Sequence, residues 1–580
     1  MKDVNKKDLV MLTVPLVSFV LPSFETASTA AFLRHAGKKI SVEHLYISFA
    51  EKLGGEKYHF ARMTGIGEYI IASLLYPEQY EIISEWYENN KGESSYTFDE
   101  LRNSFKEVID RQIEGLEKYK GVPVLFYLYS QQFISALYYA QKIKEKYGNE
   151  IWFAGYHCNE GLSVSMKKTF PFIDKTIAEN VEENVLALLE KKAGVEYHDN
   201  LDFLPTPDYD DYFEQIEKCD KSFKEKFMSE PRLQVETSRG CWWSKCSFCT
   251  LNCKTHVFRE RSIKKVLEDY RTLIDKYNTL NILILQFVNN ENWYELLEDL
   301  YREYPGLKGA FDMNFKVTSF KEYREFELLK KTDTSLLVGT ENYDTDYLNM
   351  MNKGQSTIDN IMFLKNSERS RVACYHNFMY GMPYETEEHY RSNKETVELI
   401  LHMVPPFDDE EFRLTFGSDI YFHPGKYGVK EIKLRENKEG IWFPQRIKET
   451  YKPFFYDFVS ENEGLDERKE KWKELIEHWR KVYYQGASDA LPKQISLLQK
   501  FEAGGKLRIQ DLRYDNREYR YYYEGIAKDM YLFCDSIKTK DDLAAEFKET
   551  ELGRIEEVLK DFIDKKIMYS EDDKYLSLAI

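Results

Sequence analysis

The stretch Arg239-Gly240-Cys241-Trp242-Trp243-Ser244-Lys245-Cys246-Ser247-Phe248-Cys249 decides how the chain is read. Its cysteines are spaced C-x4-C-x2-C on one short loop, so three thiolates can face one corner of a metal centre. They lack a fourth ligand of their own. A structural zinc ion requires that fourth donor, and Cys253 and His256 stand close enough in sequence to supply it. A four-iron, four-sulfur cluster held by three cysteines instead leaves one iron open to a substrate or cofactor. The loop follows a strand pattern at Gln234–Thr237 and opens a run of β/α units, a setting that favours the open cluster. Eight cysteines in 580 residues do not make a disulfide scaffold, but four of them within thirteen residues point to a metal site in a reducing compartment. Cys158, Cys219, Cys374 and Cys534 read as ordinary buried thiols.

Downstream of the loop, strand patterns recur at Asn281–Phe287, Ala310–Val317, Ser335–Gly339 and Ala373–Met379, with helical patterns between them. Such a series predicts a full or partial (β/α) barrel, whose chemistry sits at the carboxyl ends of the strands. Upstream, Leu9–Leu16, Ile40–Ile47, Val122–Tyr129 and Ile151–Ala154 read as strands. Helices at Glu25–Ala36, Gln131–Tyr147 and Val181–Lys192 alternate with them, and a longer helical stretch runs to Tyr119 with a break at Tyr76-Pro77-Glu78. This alternation predicts a parallel, doubly wound sheet ending at the turn-rich Leu204-Pro205-Thr206-Pro207-Asp208. No G-x-G-x-x-G follows a strand, so a nicotinamide dinucleotide site has no support. Glu461–Tyr484 is a charged helix that reads as a spacer. Beyond it, strands at Leu507–Ile509 and Tyr519–Tyr523 precede a Thr539-x-x-Asp542 helix cap and a helical repeat of Leu552, Ile555, Leu559 and Phe562. Lys566–Tyr569 and Tyr575–Ile580 flank a polar turn as a terminal hairpin, which together describes a winged helix.

Composition bounds the partners. Hydrophobic residues at 43% and charged residues at 31% describe a globular chain. Its 81 Lys and Arg against 99 Asp and Glu give a net charge of −18, the wrong balance for holding nucleic acid through phosphates. The winged helix is therefore expected to bind a protein or peptide. The 43 Tyr, 37 Phe and 8 Trp suit thick aromatic cores, or grooves for a peptide or a large flat cofactor. Pro15 and Pro22 interrupt the apolar run Leu9–Leu21, so it reads as a buried first strand, not a secretory signal. No other run has the length of a membrane span, and a cytoplasmic protein is expected.

The cysteine loop resembles that of the radical S-adenosylmethionine (SAM) superfamily, where the usual spacing is C-x3-C-x2-C with an aromatic before the third cysteine; Phe248 matches that aromatic. Glu236-Thr237-Ser238-Arg239-Gly240-Cys241-Trp242-Trp243 is similar to one subgroup, enzymes that mature ribosomally made peptides (RiPPs) and carry an N-terminal cobalamin-type domain. Five further segments match in order: Pro207–Phe213, Leu348–Gly354, Asn377–Pro383, Val404–Pro406 and Tyr575–Ala579. The chain departs from the subgroup in having four residues, not seven, between its first two cysteines. Ala154-Gly155 replaces a Gly-Gly pair, Glu179-Asn180-Val181-Glu182 replaces Gly-Glu-x-Glu, and a later Gly-Glu reads Tyr384-Glu385. Such glycines let a bulky corrin tail approach the backbone.

The resemblance implies three units: a Rossmann-like, cobalamin-binding-type domain over 1–205, a radical SAM barrel over 206–430, and, after a helical linker over 431–485, a winged-helix-like peptide-recognition domain over 486–580. It implies a [4Fe-4S] cluster on Cys241, Cys246 and Cys249, with S-adenosylmethionine and possible cobalamin as cofactors. Phe248, Asn290 of the Asn289-Asn290 pair, Lys316, Glu341, Asn377 and Gly381 would be cofactor contacts, with Tyr380 at the barrel mouth. His157 lacks the Asp-x-His-x-x-Gly setting of a cobalt ligand and reads as structural. The implied activity is radical modification of an unactivated peptide carbon. C-methylation is the leading outcome; the alternatives are cobalamin-independent epimerisation, oxidation or cross-linking, or a non-enzymatic zinc-bearing winged-helix protein. The implied partners are a precursor peptide with its leader and an electron donor such as flavodoxin or ferredoxin.

Overall fold

The structure, a computed structural model, describes the chain apart from residues 1–6, 129–131, 156–157, 196–197, 252–257, 286–291, 308–311, 321, 436–438, 485–495 and 515–516. Its first sheet is formed by β1 (Leu9–Thr13), β2 (Ile40–His44), β3 (Val124–Leu128), β4 (Ile151–Gly155) and β5 (Lys175–Ile177). All neighbours are parallel, in the order β2-β1-β3-β4-β5. Alternate residues feed two different cores, because successive side chains leave opposite faces of a strand. Val10, Leu12, Val124 and Phe126 enter one core, and Leu9, Met11, Leu125 and Tyr127 the other. Helices cover both faces, which is why β1 and β3 read as unbroken apolar runs. The strand expected over Ile40–Ile47 stops at His44. From Leu45 to Leu53 the chain is helical, since Tyr46, Ile47, Phe49, Ala50 and Leu53 reach the core at helical spacing. A helix over Glu160–Thr169 and β5 itself had no clear signal in the sequence.

The second unit is a partial barrel. Its first arc pairs β6 (Leu233–Glu236) with a later parallel strand, and the ribbon of β7 (Ser238–Arg239) and β8 (Arg259–Glu260) leaves its end. The partner of β6 is β9 (Ile282–Leu285). The second arc is β10 (Asp312–Phe315), β11 (Ser335–Glu341), β12 (Cys374–Tyr380) and β13 (Asp408–Glu411), parallel throughout. All five strands expected in this unit are present with shifted ends. Among the described strands of this unit, the two-residue β7 and β8 and the edge strand β13 were unforeseen; four carboxylate residues give β13 no apolar pattern.

The stretch expected as a helical linker is mixed. An antiparallel sheet of β14 (Leu414–Thr415), β15 (Val429–Leu434) and β16 (Phe455–Ser460) begins within the expected barrel segment and runs into the linker's first half. Trp442, Phe443, Ile447 and Tyr451 return from it to complete a core of the N-terminal unit. The helix Leu465–Tyr483 is charged as expected, but it is no free spacer. It buries Leu465, Trp472, Leu475, Ile476 and Trp479, and both indoles lie in the core of the barrel.

The C-terminal unit opens with an antiparallel meander of β17 (Leu498–Ala503), β18 (Lys506–Asp511) and β19 (Tyr519–Tyr523). Helices follow at Gly525–Phe533, Lys540–Glu546 and Leu552–Asp564. A small sheet of β20 (Lys538–Thr539), β21 (Met568–Glu571) and β22 (Lys574–Ser577) closes a winged-helix arrangement. The Thr539–Asp542 capping box is in place. This unit shares one continuous hydrophobic core with the barrel.

Candidate functional site

Strand β6 delivers the chain to Arg239, which lies at a junction of charges. Its guanidinium donates to Glu236 at 2.7 Å and to both oxygens of Glu182, at 2.7 and 3.0 Å. Glu182 sits in the first turn of the helix after β5 and also accepts from Ser28 at 2.9 Å. Burial alone would raise its carboxyl, but Arg239's charge and hydrogen bonds overcome that and hold it down at about 2. The carboxyl edge of the first sheet is thus tied to the strand that launches the cysteine loop.

Gly240, at φ +85°, turns the chain into Cys241. Ser247 then pins the loop to the segment after a short helix at Thr345–Met350: its N–H donates to the Met351 carbonyl at 2.9 Å, and its own carbonyl accepts from Ile420. Trp243 makes a second staple, donating its indole N–H to the Asn352 carbonyl at 2.8 Å. Its ring fills the space above Gly354, where an added Cβ would come within 2.1 Å of it. The Cys249 N–H closes a turn onto the Cys246 carbonyl at 3.2 Å, and Leu251's N–H points at the Cys249 sulfur from 3.5 Å. Burial pushes the thiol of Cys249 up to about 11 and raises that of Cys246, with Lys353 opposing it in both. Such thiols gain their ligating charge only when a metal displaces the proton.

Two groups from neighbouring strand ends, together with Lys353, surround the loop. Lys316 follows β10; its ammonium donates to the carbonyls of Lys353 and Gly354 and to Gln355 Oε1, the last two at 3.3 Å, and lies 4.6 Å above the Trp243 ring. Desolvation, then repulsion from Lys353, lowers its amine to about 8. Glu341 ends β11 with φ +62°, a left-handed conformation costly for a non-glycine residue. Its Oε1 takes the Lys353 ammonium at 2.6 Å, while its Oε2 is buried without a partner. Phe248 packs on the core around Tyr347, Leu348 and Tyr384, with the Lys353 ammonium 5.8 Å above its ring.

The expected site residues therefore divide. Cys241, Cys246, Cys249, Phe248, Lys316 and Glu341 come together. Asn377 lies on β12, where its carbonyl accepts from Thr340 at 2.7 Å, and its register partner is Asp408. Gly381, at φ +80°, donates its N–H to Glu385 Oε2 at 2.7 Å. Glu385 is fully buried and also accepts from Trp472 and Tyr347, so this turn belongs to the barrel's packing, not to the cysteine loop. Asn290, Cys253, His256 and His157 lie outside the described residues. Lys353 and Trp243 were quoted within matching segments but assigned no role. Only their positions in the fold reveal one.

Zinc needs its donors drawn to one point, and the candidate fourth donors Cys253 and His256 lie outside the described residues. Three thiols on one loop, a sulfur-directed N–H, nearby ammonium groups and an unsatisfied carboxylate oxygen fit a larger anionic centre and a polar ligand beside it. At the first sheet, Thr13 Oγ1, His44 Nδ1 and Tyr46 Oη are buried without partners at the carboxyl ends of β1 and β2. The strand order reverses beside β1, where open α/β sheets take their ligands. Gly155 at φ +101° keeps the end of β4 free of a side chain, whose Cβ would stand 3.4 Å from the Leu128 carbonyl. Asn180, next to the Glu179 that stands in place of a glycine, holds φ +43°, with its Oδ1 accepting from Arg259. A ligand at this edge fits the residues present.

No family model matches the chain, and no curated protein does. Among solved structures, it is similar to the cobalamin-dependent S-adenosylmethionine radical enzyme OxsB with aqua-cobalamin and S-adenosylmethionine bound: TM-score 0.54, 13% identity, covering 83% of this chain and 68% of that one. It is also similar to the radical S-adenosylmethionine methyltransferase TsrM from Kitasatospora setae with cobalamin and a [4Fe-4S] cluster bound: TM-score 0.52, 11% identity, covering 83% of this chain and 96% of that one. The fold is shared with these enzymes. At such identities the likeness is one of architecture, an N-terminal α/β unit joined to a parallel-stranded barrel. No helix among the described residues is long and apolar enough to cross a membrane.

Proposed function

We propose that this chain is a radical S-adenosylmethionine enzyme that modifies an unactivated carbon of a ribosomally synthesised peptide by cobalamin-dependent C-methylation. The observation that carries the reading is the cysteine loop at a barrel strand end, with Lys316, Lys353 and the half-satisfied Glu341 packed around it. When bound, a cluster with S-adenosylmethionine supplies a 5′-deoxyadenosyl radical able to take hydrogen from carbon, and cobalamin supplies the methyl group. Cys241, Cys246 and Cys249 would hold the cluster, and Glu341 Oε2 would accept from a polar group of S-adenosylmethionine. The carboxyl edge of the first sheet would hold cobalamin, facing the barrel across the Arg239–Glu182 pair. The residues' remaining work is to place the substrate carbon and keep water away.

The C-terminal unit suits peptide capture by strand addition. In its meander β19 is an outer strand, and the opposite edge is occupied by the chain's own end: Lys500 N–H donates to Ile580 and Ile580 N–H to Leu498, at 3.2 and 3.1 Å. Tyr522 on β19 is 62% exposed. A cytoplasmic electron donor such as flavodoxin or ferredoxin completes the proposal.

Anaerobic reconstitution tests it. The chain should bind four irons with sulfide, absorb near ~400 nm as cysteine-ligated clusters do, and release 5′-deoxyadenosine. Replacing Cys241, Cys246 and Cys249 together by Ala should abolish all three; retained cleavage would sink the mechanism. Incubation with hydroxocobalamin decides the outcome of the radical. Cobalt retained at one per chain supports methylation. Peptide modification without cobalt supports epimerisation, oxidation or cross-linking.

A further inference from the structure

Lys316 is 6% exposed, and among the described residues no carboxylate lies within ion-pair distance of its ammonium. A buried cation without a counter-charge is costly, so its position calls for an anion nearby. Its hydrogen-bond partners are neutral oxygens of Lys353, Gly354 and Gln355, and its fourth side is the face of Trp243. Of the other ammonium groups at the loop, Lys353 is already balanced by Glu341 at 2.6 Å, and Lys245 stands 4.9 Å from the Trp243 ring centroid. What favours the charge of Lys316 is first the thiols of Cys246 and Cys241 and then, beyond ion-pair distance, the carboxylate of Asp359. Trp243 lies between those two cysteines in sequence and is fixed from two sides, by its bond to Asn352 and by the close approach of Gly354.

We infer that Lys316, steadied by the face of Trp243, is the counter-charge of the cluster and sets its reduction potential. This rests on the cluster reading above. Reduction adds one electron to a centre that three thiolates already make anionic, so a fixed ammonium favours the reduced form and raises the potential. Trp243 is then a positioning residue: its quadrupole holds the ammonium against the loop, and its indole N–H fixes the ring.

The test is a dithionite titration of the reconstituted protein, followed by the electron paramagnetic resonance of the reduced cluster. Lys316→Met should lower the one-electron reduction constant about tenfold, or ~59 mV. Lys316→Gln, which keeps a hydrogen-bond donor but not the charge, should do the same, and Lys316→Arg should stay close to the parent. Trp243→Ala and Gly354→Ala should shift the potential in the same direction as Lys316→Met, whereas Trp243→Phe keeps the ring face and most of the parent value. Full iron and sulfide content with an unchanged potential in both Lys316→Met and Lys316→Gln overturns the inference. A shift in those variants but none in Trp243→Ala overturns the positioning role. A parent protein that binds no iron overturns the cluster reading itself, and this inference with it.

Discussion

Arg239 and Glu182 show how a residue can join two units. The pair is nearly buried, with Glu182 only 3% exposed, and it stands between the first sheet and the first cysteine. Because the folded-state pKa of Glu182 lies near 2 against an ordinary 4.5, its contribution is fully present above pH 4.5. It is lost as pH falls through 2, an effect of about 3 kcal/mol. Denaturant unfolding of the parent should therefore weaken steeply over that window, and Glu182→Gln should flatten the dependence. An unaltered slope would show that the pair does not hold the junction. Cys253 makes a second prediction, from sequence alone: an open iron needs three thiolates, so Cys253→Ala should keep its iron while Cys246→Ala loses it. Equal iron loss in both would make the centre four-coordinate. The three cysteines stood out in the sequence because their spacing alone puts three thiols on one loop. Lys353 was not, since a lysine twelve residues beyond Glu341 acquires its meaning only when the Leu348–Gly354 segment folds back onto the loop.

At the scale of elements, strong period-two and helical patterns were readable and charged ones were not. The charges of the Leu465–Tyr483 helix suggested a solvated spacer, but its buried face sets two indoles and an arginine beside Leu465, Leu475 and Ile476. Trp472 donates to Glu385, Trp479 donates to the Met403 carbonyl, and Arg468 bonds the Glu385 carbonyl. Polar tips on large side chains hide a packing face from hydropathy. The same masking applies to Lys365, in the helix Thr357–Ser370, whose ammonium is 1% exposed. It donates to the Asp535 carbonyl and carboxylate at 2.9 and 2.8 Å and to Ser577 at 3.2 Å, bridging the barrel to the C-terminal unit. Removing one partner of such a pair strands a buried charge, so Asp535→Asn should cost about 3–5 kcal/mol in denaturant unfolding. A change under about 1 kcal/mol would mean that the interface reorganises around Lys365 without loss.

The whole molecule is more tightly joined than a string of domains. Segments with their own core pattern and a charged helix before them look separable in sequence, and the winged-helix unit did. In the fold it is built onto the barrel. Ala579 and Leu578 are fully buried, and His402 bonds the Leu578 carbonyl at 2.9 Å. Glu571 accepts from Thr345 and from the Ile358 N–H, at the start of the barrel helix whose preceding loop carries Lys353. A chain ending near Tyr484 would expose this shared core and leave Lys365 without Asp535 and Ser577. It should be recovered as insoluble or iron-free protein, and a soluble, iron-loaded truncation would show that the interface is dispensable. Peptide recognition must then be tested without removing the unit. Tyr522 is exposed on the outer strand of the meander, so Tyr522→Asp should leave the melting temperature and iron content of the full chain unchanged. Strand addition beside it would suffer from the new charge, and affinity for the proposed precursor peptide should fall about tenfold or more, the scale of a lost side-chain anchor. Modification of that precursor should fall with it, because the reacting residue is no longer kept near the barrel at high effective concentration. Binding as tight as in the parent, measured by isothermal titration, would remove β19 from the recognition surface.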